Sequence, residues 1–170
     1  MASSPPEDDP QATYVAGLTM LARRELSEVQ LRQRLLRRGH TPDHVDTAIA
    51  RLKSERALDD ARVAEAIART AITLRGRGKL RVSRQIKQAG IASSTAEQAL
   101  ARAYEEVDPQ ELLVAALDKR LRGRETIADQ KEMQRLYRYL VGQGFESDRV
   151  LSLLRRRLSK RAAASSDEDA

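Results

Sequence analysis

Cysteine and tryptophan are absent from this chain of 170 residues, and its aromatic side chains amount to four Tyr and one Phe. The missing thiols exclude disulfides and cysteine-ligated zinc, and fit a reducing compartment. With so few rings, any core must be built from Leu, Ile, Val and Ala. No apolar run approaches the roughly 20 residues that a bilayer-spanning helix needs. Met1 to Pro10 carries prolines and acids where a secretory leader needs bases and an apolar stretch, so the sequence predicts a cytoplasmic protein. Period-two runs flanked by turn residues are missing too, and β-branched clusters are sparse, which argues against strands.

Bases are plentiful by contrast: 31 Lys and Arg stand against 25 Asp and Glu, a net charge of +6. The balance is uneven. Glu7, Asp8, Asp9, Asp167, Glu168 and Asp169 lie in two ends that hold no base, so residues 11–162 keep all 31 bases and the other 19 acids, a surplus of +12. A field of that sign favours polyanions, nucleic acid first and acidic membrane surface second. Residues 1–10 and 163–170 are small, polar and acidic, and are predicted to be disordered tails.

Between the tails one pattern occurs three times. Leu31 to His40, Val82 to Ile91 and Leu136 to Phe145 align on Gly39, Gly90 and Gly144, which are 51 and 54 residues apart. Apolar residues fall eight and four before each glycine (Leu31/Val82/Leu136, Leu35/Ile86/Leu140) and six and ten after it (Val45/Ala96/Val150, Ile49/Leu100/Leu154). That period signals a repeat architecture. The predicted fold is all-α, three tandem three-helix repeats (11–57, 58–107 and 108–162) forming an elongated, curved array.

Helix punctuation supports nine helices. Ser27 with Gln30 makes a capping box, and Gly39 provides a left-handed stop. Thr41-Pro42 restarts the chain as N-cap and first helical residue. Asp59-Asp60 opens the second repeat with a helix to about Leu74, and the connector Arg75 to Gly78 leads into a helix over 79–89. Ser94 with Glu97 reads as another capping box, Asp108-Pro109 as the start of the third repeat, and Ser147 as the cap of a last helix to about Arg161.

The densest charge is local. From Ala66 through Gln98 the only acid is Glu97, while Arg69, Arg75, Arg77, Lys79, Arg81, Arg84 and Lys87 are unopposed. At about 100° per residue, Arg77, Arg81, Arg84 and Lys87 share one arc, with Val82, Ile86 and Ala89 on the other side. Such a helix could track phosphates. Gly76 and Gly78 would let backbone approach a phosphate, and the helix start would add amide donors. A solvated charged face explains abundant bases but not missing acids. Two further groups are weaker. In unit one, Arg23, Arg24, Arg32, Arg34, Arg37 and Arg38 have Glu25 and Glu28 among them, and Arg155 to Arg157, Lys160 and Arg161 also serve a helix C-terminus. With few rings available to stack bases, contact should be electrostatic and salt-dependent.

Catalytic signals are lacking. Gly78-Lys79 superficially matches a phosphate loop, but Thr73 stands at its first glycine position and Leu80 at its Ser/Thr position. His40 and His44 alone make no metal site, and Asp59-Asp60 suits a helix start. The sequence predicts a protein that is not an enzyme and needs no cofactor or metal.

The segments Leu58 to Ala64, Arg77 to Arg81 ending in Gly90-Ile91, and Leu136 to Leu140 ending in Gly144-Phe145 resemble the RecX family of bacterial recombination regulators. The resemblance covers roughly residues 14–158. His40 departs from it, standing where the family usually has an aromatic residue. Gly142-Gln143 replaces the basic pair seen as Arg37-Arg38, and Ala89 stands where lysine is common. The resemblance implies a regulator, mainly an inhibitor, of the RecA recombinase. Such a protein binds RecA filaments on single-stranded DNA and restrains ATPase, strand exchange and co-protease activity, with consequences for DNA repair and the SOS response. Candidate contacts to DNA or filament are Arg75, Arg77, Lys79, Arg81, Arg84 and Lys87 in unit two. Unit one adds Arg32, Arg37 and Arg38, and unit three Arg135 and Arg138. The expected partners are the RecA filament, single-stranded DNA and duplex DNA, met by a monomer without membrane attachment. A helix-turn-helix duplex-DNA regulator is the alternative, disfavoured because the bases precede each turn in units one and two. A purely protein-binding helical scaffold is a third reading.

Overall fold

The computed structural model describes residues 9–167, with side chains placed through Leu158. The rest of the sequence-predicted tails, 1–8 and 168–170, lies outside the described residues. Nine α-helices and no strand occur among the described residues: α1 (Pro10–Arg23), α2 (Glu28–Arg37), α3 (Pro42–Ser54), α4 (Asp60–Arg69), α5 (Lys79–Gln88), α6 (Ser93–Ala103), α7 (Pro109–Leu121), α8 (Gln130–Gly142) and α9 (Ser147–Asp167). None of them is long and apolar enough to cross a membrane. The chain is an all-α array of three-helix repeats.

All twelve apolar positions of the repeat are buried, none more than 5% exposed. The three glycines between the second and third helices have φ of +92°, +79° and +95°, a backbone that glycine adopts without strain. The chain then restarts by one rule. The residue two past each glycine accepts the first helical bond from the residue six past it: Val45 N–H to Thr41 O, Ala96 N–H to Ala92 O and Val150 N–H to Glu146 O, each 3.0 Å. This register overrides cap preference. Ala92 and Glu146 therefore stand at the N-caps, while Ser94 and Ser147, expected there, fall inside the first turn.

Other starts follow the sequence. Ser27 and Gln30 form the reciprocal capping box of α2. Asp9, Asp108 and Asp129 each accept a backbone N–H at the starts of α1, α7 and α8. Two ends differ from expectation. The helix that begins with α4 reaches Leu74 only through a π-helical turn, Thr70–Leu74. In α9 the backbone is helical through Asp167, across residues 163–167 read as tail, because Arg161 is followed by three alanines, the strongest helix former.

Contacts divide the chain into two compact units, and the divisions fall inside α4, α5 and α6. One unit takes residues up to 67 together with 85–99, and the other takes 68–84 and everything from 100 on. The first is built on Met20, Leu26, Leu31, Leu35, Val45, Ile49, Leu52 and Leu58. The second is built on Leu113, Leu117, Leu121, Ile127, Met133, Leu136, Leu140, Phe145, Val150, Leu153 and Leu154. The helices of the middle repeat thus contribute to both units.

Candidate nucleic-acid interface

The connector before α5 is a packing device first. Gly78 N–H donates to Gln143 O at 3.0 Å and Leu80 N–H to Gly144 O at 3.1 Å. Arg81 Nη1 donates to Gly142 O at 2.8 Å, so three groups around the start of α5 satisfy carbonyls at the end of α8. A Cβ on Gly78 would lie 2.3 Å from Gly144 O, and one on Gly144 would lie 2.4 Å from Arg81 N. The expectation that Gly78 and the helix-start amides cradle a phosphate is therefore corrected. The glycine makes room for another strand of backbone, and that backbone takes the amides.

Arg77 and Arg81 are half-buried for the same reason. Arg77 lies before α5, its carbonyl accepts the Tyr104 hydroxyl at 3.0 Å, and its Nε is shut from solvent with no hydrogen-bond partner among the described residues. Burial pushes the Tyr104 phenol up to about 12, so it donates at neutral pH. Arg75, Lys79, Arg84 and Lys87 are exposed, and none pairs with a carboxylate among the described residues. Val82 and Ile86 fill the opposite face of α5 with no exposed surface. The two-faced helix is as expected; of the six candidate bases four are exposed, and Arg77 and Arg81 are half-buried.

In α1 and α2 the sequence is misleading in the other direction. Glu25 is held by Arg62, Nε to Oε1 at 2.9 Å and Nη2 to Oε2 at 3.3 Å. Glu28 accepts from Lys53 at 2.7 Å, which with a weaker contact to Arg32 keeps its carboxyl below the usual range. Arg32 also pairs with Asp46, so this predicted contact residue is already neutralised. With both acids drawn away, Arg23, Arg24, Arg34, Arg37 and Arg38 surround a cleft of about 370 Å³ with Met20 and Leu26 at its floor. Arg23, Arg24, Arg37 and Arg38 are exposed and Arg34 is half-buried; all five belong to the weaker basic group that the sequence shows in unit one. The cluster itself is legible in the sequence; that Glu25 and Glu28 do not offset it shows only in their tertiary partners.

The two candidates of the third repeat face different surroundings. Arg135 lines a cleft with Arg120, Arg122 and Arg124 that also contains Glu132. The Arg124 guanidinium and the Ala128 amide hold that carboxyl down to about 2, so it stays charged and offsets part of the basic rim. Arg138 borders an apolar depression of Met133, Tyr137 and Leu151 instead. Phe145 is buried in the core, and Tyr139 lies 5.0 Å under the Arg120 guanidinium.

The remaining polar residues hold the fold. His40 is 4% exposed, with Nδ1 2.9 Å from the Thr13 hydroxyl, which accommodates an imidazole at the aromatic position. Asp59 caps α4, accepting from Ala61 and Arg62 amides at 2.9 and 3.1 Å. Asp60 instead accepts the Glu28 N–H at the start of α2, at 2.8 Å.

Comparison with known proteins follows the repeats. Profiles described as the first, second and third three-helix domains of RecX match residues 14–52, 59–100 and 106–154. A regulatory protein RecX of Halorhodospira halophila is 35% identical over 159 residues, 94% of this chain and 91% of its own length. One of Chromohalobacter salexigens is 33% identical over 135 residues, 78% of this chain and 84% of its own. In fold, the chain is similar to the crystal structure of RecX from Lactobacillus salivarius, with a TM-score of 0.73 at 20% identity, covering 88% of this chain and 96% of that one.

Proposed function

The chain belongs to the RecX family of regulatory proteins, and from that premise we propose that it restrains the RecA recombinase by binding RecA filaments on single-stranded DNA. In this reading it acts in the cytoplasm as a monomer, through binding alone, lowering ATPase, strand exchange and co-protease activity. The observation that carries the reading is the stretch around α5, where Arg75, Lys79, Arg84 and Lys87 stand exposed with no described carboxylate on any of them. Uncompensated bases attract the phosphate backbone without reading sequence, and they make affinity fall steeply with salt. That suits a partner made of one repeating surface.

The test is the DNA-dependent ATPase of RecA on single-stranded DNA, with this protein added at less than one per RecA. The expected result is a steep fall at low ratio. Arg75, Arg84 and Lys87 reversed together to Glu should abolish it while far-UV circular dichroism stays unchanged. Arg77 and Arg81 are left intact because their backbone or guanidinium groups hold the fold. An unaffected ATPase, or full inhibition by the reversed variant, would refute the proposal. A sequence-specific footprint on duplex DNA would favour a helix-turn-helix regulator instead.

A further inference from the structure

The cleft between the ends of α1 and α2 carries more positive charge than the fold uses. Five guanidinium groups, of Arg23, Arg24, Arg34, Arg37 and Arg38, line it, and no carboxylate does among the described residues. Cations commonly serve helix C-termini, and two such ends meet here, each worth about −0.5 of a charge. That leaves most of five charges unanswered. The α2 end is already capped by backbone: Leu35 O accepts from Arg38 and His40 amides at 3.0 and 3.3 Å, and Leu36 O from Gly39 at 3.0 Å. Arg37 spends a donor on backbone, its Nε on Gln33 O at 3.1 Å.

We propose that this cleft is a single-nucleotide subsite, receiving one unstacked base of a single strand together with its flanking phosphates. The inference rests on the reading that the chain engages single-stranded DNA. Three observations select the ligand. The cleft is small, at the low end of the roughly 300–1,000 Å³ of small-ligand sites, so its volume matches one nucleotide. Its bases are all Arg, and a planar guanidinium grips a phosphate bidentately and also stacks on a base face. Its floor is the side chains of Met20 and Leu26, so the space is amphipathic rather than a purely ionic trap. The aromatic ring of this unit cannot supply the stacking: Tyr14 is covered by the Arg51 guanidinium at 3.7 Å and its hydroxyl is bonded to Glu55 at 2.6 Å. Guanidinium planes are left to do so.

The test compares fluorescence anisotropy of two labelled probes of equal charge, a thymidine pentamer and its fully abasic counterpart, without RecA. The natural protein should prefer the thymidine pentamer by about tenfold, the scale of one base stack. Replacing Arg23, Arg34 and Arg38 with Gln together should erase that preference. Replacing Arg75, Arg84 and Lys87 with Gln should weaken both probes alike and keep the ratio. Arg38→Gln alone, which removes no described hydrogen bond, should halve the preference or more and guards against a misfolded triple variant. Equal affinity of the natural protein for the two pentamers would overturn the proposal. So would an unchanged ratio in the cleft variants, or an Asp/Glu-rich peptide that binds at the cleft where the thymidine pentamer does not compete. A failed RecA ATPase test with the pentamer preference intact would refute the filament reading and leave the subsite standing.

Discussion

Gly78 offers the sharpest separation between a glycine kept for a ligand and one kept for packing. An alanine there places Cβ 2.3 Å from Gly144 O and 2.5 Å from Phe145 N, so the two backbone segments have to part. Parting them breaks the Gly78–Gln143 and Leu80–Gly144 bonds and misplaces the donor of Arg81 to Gly142. At about 0.5–1.5 kcal/mol net for each of three bonds, Gly78→Ala should cost about 2–4 kcal/mol. With a urea slope near 2 kcal/mol/M, the unfolding midpoint should drop by about 1–2 M. Gly144→Ala should cost more, because φ there is +95° and a left-handed backbone adds roughly 1–2 kcal/mol. Gly142 is the internal control: it lies within α8 with nothing within 4 Å of an added Cβ, and alanine should gain about 0.5–1 kcal/mol there. Urea titrations followed by circular dichroism at the helix band read all three. If Gly78→Ala kept the natural midpoint but lost DNA binding, the glycine would serve a ligand and the packing argument would be wrong.

Two further outcomes follow from side-chain hydrogen bonds. Ser27 is fully buried; its hydroxyl accepts from Gln30 N–H at 3.2 Å and donates to Ala89 O. Ser27→Ala should cost about 2–4 kcal/mol, about 1 for the cap and the rest for a buried carbonyl left without its donor, whereas Ser27→Thr keeps the hydroxyl and most of the stability; equal midpoints for the two variants would contradict this. Glu132, held down to about 2 from an ordinary 4.5, stabilises the folded chain above about pH 4.5 and loses that contribution as pH falls toward 2. The urea midpoint of the natural protein should therefore fall more between pH 7 and pH 3 than that of Glu132→Gln, and parallel falls would show that the Arg124 contact does not stabilise.

Most of the helical plan is readable from the chain because each repeat states it twice over, in apolar spacing and in a glycine stop. The twelve aligned apolar positions are all buried, and the three glycines all take positive φ. What escapes is decided by register. Ser94 has the right side chain for an N-cap and sits two residues too late, because the restart is counted from Gly90 and not from local preference. The π-helical turn at Thr70–Leu74 leaves no trace either, since Val63, Ala64, Ala68, Ala71 and Ile72 read as one ordinary apolar stripe. Its effect shows only in Leu74, which is 78% exposed beside the basic connector.

The charged surface is harder to read, for a reason rooted in how ion pairs form. A run without acids, like 66–96, cannot be neutralised by its neighbours, so its excess shows in the sequence. The fold removed Arg81 from the exposed set by giving its guanidinium a carbonyl from α8, and half-buried Arg77 beside the same packed connector. A mixed run is the opposite case. Glu25 and Glu28 look like internal counter-charges for the arginines around them, yet their strongest contacts are Arg62 and Lys53, 37 and 25 residues away. Side chains three or four apart on a helix can pair for only a few tenths of a kcal/mol, so a partner from another helix with better geometry takes the carboxylate. Of the α2 arginines, Arg32 faces Glu28 and Asp46 and is neutralised, while Arg34, Arg37 and Arg38 turn to the cleft. Local charge counting therefore overstates the free charge of α5 and understates that of α2. The number that matters for a polyanion is the count of guanidinium groups whose carboxylate partners lie elsewhere, and by that count the α1–α2 cleft rivals the stretch around α5.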